Sequence, residues 1–140
     1  MPGSSLWLVP PRNHPIHEIL VELINNAIPS LFPEQSTPRF PPHLTLTSEI
    51  PTKVYGEHPQ EWLDSIPWPS GNKVTVEFQT IKTENIFYRR CYIKAGFDGV
   101  RDIAALARAR GVNDEIDVGP KTLDWLEKWK SEFGPHVSLL

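Results

Sequence analysis

The sequence predicts an α+β fold of antiparallel strands and amphipathic helices, arranged as two similar lobes that face each other. Residues 73–81 alternate between polar and apolar side chains, which is typical of a strand with one buried face. Apolar residues between Ile16 and Ile28 recur at helical spacing. The order strand, helix, short motif strand occurs in the first half of the chain and returns, with one extra helix, in the second half.

The first half begins with residues 6–9, an apolar run that two prolines stop, and this pattern indicates a short buried strand. A helix follows, with Asn13 as its expected N-cap and Pro15 near its first position. We expect this helix to end near Pro29. A second, short helix is predicted over residues 60–66.

The second half begins with a predicted β-hairpin. Residues 73–81 form its first strand, residues 82–85 its turn and residues 86–95 its second strand.

Two helices follow this hairpin. Asp98 is the expected N-cap of the first, and Gly111 the residue just after its end. The second helix begins around residues 120–122 and stops at Gly134. Its side chains that are expected to point inward are Leu123, Leu126, Trp129 and Phe133.

A short motif occurs twice, once at residues 42–46 and once at residues 135–139. Both copies read Pro-His-apolar-(Thr or Ser)-Leu. Side chains alternate between the two faces of a strand, so the histidine and the hydroxyl of each copy point the same way. Two such strands that meet across a cleft can surround one small anion.

The four polar residues of the motifs are His43 and Thr45 in the first copy, and His136 and Ser138 in the second. Two histidines can act as base and acid in one displacement at phosphorus, because each gains or loses a proton near neutral pH. The hydroxyls can donate hydrogen bonds to phosphate oxygens. A histidine and a hydroxyl two residues apart are roughly 6.6 Å apart along the backbone, which suits one phosphate. We therefore predict that neither a metal ion nor a cofactor is needed.

Length and composition indicate a single domain over residues 1–140. The net charge of −3 argues against broad coating of nucleic acid, so no stable nucleic-acid partner is expected. No apolar run approaches the length of a membrane span, and the N-terminus does not read as a secretory signal, so an intracellular and most simply cytoplasmic protein is expected. The single cysteine, Cys91, is interpreted as a small buried residue.

The repeated motif resembles that of the 2H phosphoesterase superfamily, which is defined by two H-x-(T/S)-apolar motifs. Residues 6–10 and 136–140, together with the motif spacing, are similar to its fungal cyclic phosphodiesterase branch. The resemblance covers essentially the whole chain. It implies the bilobal 2H phosphoesterase (LigT-like) fold, with two antiparallel sheets around a central cleft and helices outside.

The same resemblance implies hydrolysis of 2′,3′-cyclic nucleotides to 2′-phosphates, and of ADP-ribose 1″,2″-cyclic phosphate, a by-product of tRNA splicing, to ADP-ribose 1″-phosphate. By motif matching, His43 protonates the departing 3′ oxygen and His136 activates water, with the exchanged assignment left open. A small cyclic phosphate substrate and a monomer are expected. Fungal relatives add Golgi association as an alternative location.

Two other functions remain open from the sequence: a non-catalytic nucleotide- or RNA-binding module, and a ligase or phosphodiesterase acting on RNA ends. Relatives often carry an aromatic residue just past the second motif, whereas this chain stops at Leu140. We therefore expect the C-terminal end to be truncated relative to the complete fold.

Weaker candidates lie outside the motifs. Residues 88, 90, 92 and 94 share one strand face and include two tyrosines, an arginine and a lysine, although a solvated sheet face is the simpler interpretation. His14 and His17 have the spacing of metal ligands but no companion ligand. Trp68, which lies between two prolines, is a candidate pocket wall.

Overall fold

The strands in the described part of the protein form one antiparallel sheet with the order β1-β2-β5-β4-β3. A computed structural model of the protein describes residues 3–33, 39–84 and 91–140. The five strands in this part of the chain are β1 Ser4–Leu8, β2 Leu44–Ile50, β3 Phe78–Thr83, β4 Cys91–Ala95 and β5 His136–Ser138. The second motif strand, β5, lies at the centre of the sheet, between β2 and β4.

Helices connect the strands. The described ones are α1 Pro15–Glu22, α2 Ile28–Leu31, α3 Thr52–Tyr55, α4 Pro59–Ser65, α5 Arg101–Gly111 and α6 Pro120–Ser131. A π-helical segment, Leu23–Ala27, joins α1 to α2, and a 3-10 turn, Gly71–Lys73, precedes β3. None of the helices in the described ranges is long and apolar enough to cross a membrane.

The core lies between one face of the sheet and helices α1, α5 and α6. The sheet contributes Leu44 and Val137, which are register partners in β2 and β5, and both are at most 3% exposed. Leu20, Ala104 and Leu126 contribute from the three helices. Burial of these side chains also fixes which residues of each strand point away from the core. A shift of the strand pairing by one residue would move the apolar side chains from the core face to the opposite face.

The predicted α+β class is confirmed, but the two facing sheets are not. The described strands belong to a single sheet, because Val137 in β5 pairs with Leu44 on one side and with Ile93 on the other. The second motif strand therefore joins the two halves of the chain by hydrogen bonds. The sequence could not show this, since pairing between distant strands is set by contacts that lie far apart along the chain.

The first helix is longer than predicted. Its N-cap is His14, whose Nδ1 accepts a hydrogen bond from the Ile16 N–H at 3.1 Å, so the expected Asn13 cap is wrong. The helix also continues past Pro29, which lacks an N–H. The π-helical turn before this proline accounts for the continuation: the Ile28 N–H bonds to the carbonyl five residues back, at Leu23.

The predicted antiparallel pair is present, but its first strand is shifted: Lys82 and Thr83, predicted as turn residues, lie in β3, and all six residues of β3 are exposed although one buried face was predicted. β3 begins at Phe78 and pairs with β4, so that Lys82 of β3 lies opposite Tyr92 of β4. The preceding residues approach the chain after β4 irregularly, through bonds such as that from the Thr75 N–H to the Gly99 carbonyl at 3.0 Å. Residues 85–90, which include part of the predicted turn and second strand, lie outside the described residues.

Three predictions for α5 and α6 are wrong. Val100 is the N-cap of α5 and supplies no side-chain hydrogen bond, so Asp98 is not the cap. Gly111 is the last residue of α5, not the residue after its end, and a Cβ there would come within 2.9 Å of Ile50 Cγ1, so close packing explains the glycine better than helix termination does. Leu123 in α6 and Phe133, which lies two residues past its end, are 46% and 41% exposed, although Leu126 and Trp129 are buried as predicted.

α6 ends at Ser131, three residues before the predicted stop at Gly134, which forms the turn into β5. The φ of Gly134, 62°, lies in the left-handed region that glycine adopts at low cost, and its N–H bonds to the Trp129 carbonyl. This turn delivers the chain directly into β5 and so places the second motif.

Candidate active site

The two motifs lie side by side on the sheet face that points away from the helices. Leu44 pairs with Val137 in antiparallel register, so the next positions place Thr45 opposite His136, and His43 opposite Ser138. Directly opposite side chains share a face and are about 5 Å apart at Cβ. The four predicted site residues are therefore brought together, and each histidine faces the hydroxyl of the other motif.

Both histidines are oriented by the backbone of their own motif. His43 Nδ1 lies 2.8 Å from the Pro41 carbonyl, and His136 Nδ1 lies 3.1 Å from the Gly134 carbonyl. A carbonyl oxygen only accepts hydrogen bonds, so Nδ1 carries the proton in each ring. Each neutral ring then has its lone pair on Nε2, the nitrogen needed for a proton acceptor.

Aromatic rings hold the His43 side chain from two directions. The Trp7 ring stacks on the imidazole with centroids 3.8 Å apart and an interplanar angle of 17°. Phe40 meets the imidazole edge-on, at 6.1 Å and 78°. Trp7 pairs with Thr45 in the sheet, so it lies on the face that carries the motif side chains. These contacts restrict the ring rotation of His43.

Strand β4 borders the second motif. Tyr92 pairs with Ser138 and Lys94 pairs with His136, which places both side chains on the motif face. The Tyr92 ring meets the His136 ring at 5.4 Å and 67°. Its hydroxyl donates to Glu84 Oε2 at 2.7 Å, and this bond fixes the tyrosine.

A cavity of about 790 Å³ lies next to His43, where β1 ends and β2 begins. Its walls are mostly apolar and come from β1 and β2, α1 and residues 69–78; they include Leu8, Ile16, Val74 and Phe78. His43 lines one side, together with Leu44 and Val137 from the core face of the sheet. Apolar walls suit the uncharged part of a ligand better than its phosphate.

The weaker candidates are only partly supported. Tyr88 and Arg90 lie outside the described residues. His14 is used as a helix cap, and the described ranges contain no group of three or more His, Cys, Asp or Glu side chains able to hold a metal ion. Trp68 is half-buried, and its indole N–H donates to the Leu63 carbonyl at 3.0 Å.

Cys91 is buried in the core, as predicted from its isolation in the sequence. Burial raises the pKa of its thiol, because the charged thiolate is poorly solvated there. A nucleophilic role is therefore disfavoured.

The arrangement is suited to phosphate chemistry. Two Nε2 atoms and two hydroxyls extend from adjacent strands that are roughly 4.8 Å apart, so all four groups can reach one tetrahedral anion. The four residues are half-buried, which leaves them accessible to a ligand. Such a site can move protons on opposite sides of a phosphorus atom while donors hold its other oxygens.

Comparison with known proteins identifies the family. The sequence model described as cyclic phosphodiesterase-like protein matches residues 1–140. The chain belongs to this family. The resemblance noted from the paired motifs is thereby confirmed.

Fungal relatives agree with this assignment. A Neurospora crassa protein named 2′,3′-cyclic-nucleotide 3′-phosphodiesterase is 52% identical over 150 residues, covering 100% of this chain and 71% of the relative. Proteins with the same name from Phaeosphaeria nodorum and Yarrowia lipolytica are 39% and 28% identical. These alignments cover 100% and 99% of this chain, and 69% and 72% of the respective relatives.

Trp7 is a site-face residue that the sequence did not indicate. Its apolar neighbours Leu6 and Leu8 made the segment read as a strand buried on both sides, yet Trp7 is 46% exposed. Ser5 lies two residues before Trp7 and therefore on the same face of β1, and its polar side chain indicates that this face points outward.

Proposed function

We propose that the protein is a 2′,3′-cyclic-nucleotide 3′-phosphodiesterase that releases nucleoside 2′-phosphates. The observation that supports this most directly is the antiparallel pairing of the two motif strands, with Leu44 opposite Val137. This pairing brings two histidines and two hydroxyls onto one face. The family assignment and the shared name of the fungal relatives support the same reaction.

In the proposed reaction, a water oxygen attacks phosphorus and the bond from phosphorus to the 3′ oxygen breaks. Nε2 of one histidine takes a proton from the water, and the other histidine, protonated, gives a proton to the 3′ oxygen. We assign water activation to His136 and leaving-group protonation to His43, as the family resemblance implies. The free enzyme is regenerated when the two rings exchange protons with solvent.

The hydroxyls of Thr45 and Ser138 are proposed to donate hydrogen bonds to the non-bridging phosphate oxygens. Charge on these oxygens must be held as the phosphorus becomes five-coordinate, and donors already in place cost no reorganisation at that moment. Each hydroxyl lies opposite the histidine of the other motif, so donors and proton-transfer groups alternate around the anion.

We extend the proposal to ADP-ribose 1″,2″-cyclic phosphate, the tRNA-splicing by-product, as a second substrate. Its five-membered cyclic phosphate presents the same bonds to the site as a 2′,3′-cyclic nucleotide does. Action as a monomer on small cyclic phosphates, inside the cell, belongs to the same proposal and stays a prediction from the sequence.

The deciding experiment is incubation of the protein with 2′,3′-cyclic AMP in the presence of a chelator, followed by separation of 2′-AMP from 3′-AMP. Formation of 2′-AMP alone is expected, because cleavage is directed to the 3′ oxygen. Formation of 3′-AMP would refute the proposed bond cleavage. Activity that disappears with chelator and returns with zinc or manganese would refute the two-histidine mechanism.

Binding without turnover is the outcome that would favour a nucleotide-binding module. A tight complex with 2′-AMP, measured by calorimetry, together with no hydrolysis of the cyclic nucleotide, would give that result. An inactive His43→Ala variant supplies the background for both measurements.

A further inference from the structure

The motif face has different chemistry on its two sides. Following the sheet order from β1 to β3, this face carries Trp7, then the two motifs, then Tyr92 and Lys94 in β4, and Lys82 in β3. Lys94 is the register partner of His136, and Lys82 that of Tyr92. The Trp7 ring therefore borders the site on one side, and two ammonium groups together with the Tyr92 ring border it on the other.

Both lysines are exposed, and neither is engaged by an acidic group in the part of the chain that the structure describes. The ion pairs found there join other residues. Glu84, a carboxylate close to this side of the face, accepts the hydrogen bond from the Tyr92 hydroxyl. The two ammonium groups are thus available to a negatively charged ligand.

Strand spacing gives the distance from the proposed reaction centre. A phosphate centred between β2 and β5 lies about 7 Å from the line of β4 and about 12 Å from that of β3, at roughly 4.8 Å per strand. A lysine side chain extends about 6 Å, so Lys94 can reach a group next to the cyclic phosphate and Lys82 one farther out.

On the basis of the proposed function, we propose that Lys94 and Lys82 form an anionic subsite for a second phosphate group of the substrate. In a nucleoside cyclic phosphate, the base is attached at C1′ and the 5′ carbon at C4′, on opposite sides of the two carbons that carry the ring phosphate. A 5′-phosphate directed toward β4 leaves the other side of the face to the base. The preferred substrates are then cyclic phosphates that carry a further phosphate on the 5′ side.

The test compares adenosine 2′,3′-cyclic phosphate with and without a 5′-phosphate. The wild-type protein is expected to show a kcat/KM about tenfold higher for the 5′-phosphorylated compound, in line with one charge-assisted contact. Lys94→Gln should remove most of this preference and Lys82→Gln part of it, while both variants keep the wild-type kcat/KM for the compound without a 5′-phosphate. Lys128→Gln, an exposed lysine in α6, is the matched control and should change neither value.

Product binding gives a readout that is independent of turnover. Adenosine 2′,5′-bisphosphate should bind more tightly than 2′-AMP, by a margin that falls in Lys94→Gln and shrinks at high salt. This result without any hydrolysis would support the subsite and refute the phosphodiesterase. If Lys94→Gln lowered kcat/KM equally for the substrates with and without the 5′-phosphate, the proposal would be overturned, because Lys94 would then contact the cyclic phosphate itself. The absence of any preference in the wild-type protein would also overturn it.

Discussion

Replacement of the two histidines, singly and together, tests the central geometry. His43 and His136 extend from adjacent strands onto one face, so each is expected to transfer one of the two protons of a single displacement. General acid–base catalysis by one side chain is worth roughly 10²- to 10⁴-fold in rate. Each alanine variant should therefore lose about 10³-fold in kcat with 2′,3′-cyclic AMP.

The double variant is the sharper measurement. If the histidines acted independently, the two losses would multiply to about 10⁶-fold; because both serve one step, we expect a combined loss close to that of a single variant. Thermal unfolding should confirm that all three proteins fold, since both imidazoles are half-buried and lie outside the core. His58→Ala, an exposed histidine on the N-terminal side of α4, is the control and should keep full activity.

The pH profile belongs to the same experiment. With an acid and a base in one step, the rate should rise as the base loses its proton and fall as the acid loses its own, giving a bell. Each single variant should lose one limb of that bell. A single variant with near-normal kcat, or a double variant at the product of the two losses, would refute the shared-step mechanism.

The remaining predictions concern the groups around the histidines. Thr45→Ala and Ser138→Ala should each lower kcat by about 10²-fold without unfolding the protein, and unchanged kinetics in both would remove the hydroxyls from the site. Trp7→Leu should lower kcat more than it changes KM, because the stacked ring holds His43 in place, and an equal or greater loss in KM would instead indicate substrate contact. Glu115→Gln should lower the melting temperature at neutral pH. The hydroxyl of Thr122 and backbone N–H groups at the start of α6 hold the pKa of Glu115 below its usual value. The carboxylate therefore stabilises the fold at pH above the usual pKa, and this stabilisation is lost as the pH falls through the lowered pKa. The melting temperatures of the wild-type protein and of Glu115→Gln should therefore converge in acid, and a difference that stays constant with pH would contradict this explanation.

The site could be predicted from the sequence because its information is repeated. One Pro-His-apolar-Thr-Leu segment is compatible with an ordinary strand, whereas a second copy points to a shared chemical role. The adjacency of the two copies could not be predicted in the same way. It depends on the hydrogen bonds that place β5 between β2 and β4, and these join parts of the chain that are distant in sequence.

The errors in helix ends have a related cause. Asp98 and Gly111 are residue types that commonly begin and end helices, and local preference alone led to both assignments. In the folded protein, Gly111 is needed where α5 passes close to Ile50 of β2. Contacts between elements override local preference at such positions, and a single sequence does not show them.

The pairing of the motifs also explains why the sequence alone left acid and base interchangeable. His43 faces Ser138 and Thr45 faces His136, so the four groups are related by an approximate two-fold axis between β2 and β5. Both imidazoles even donate to the carbonyl two residues earlier. The proposed reaction lacks this symmetry, because water enters on one side of phosphorus and the 3′ oxygen leaves on the other. The difference must therefore come from the flanking residues. His43 is stacked on Trp7 beside an apolar cavity, whereas the His136 ring meets the Tyr92 ring. These flanks are where substitutions should affect one proton transfer more than the other.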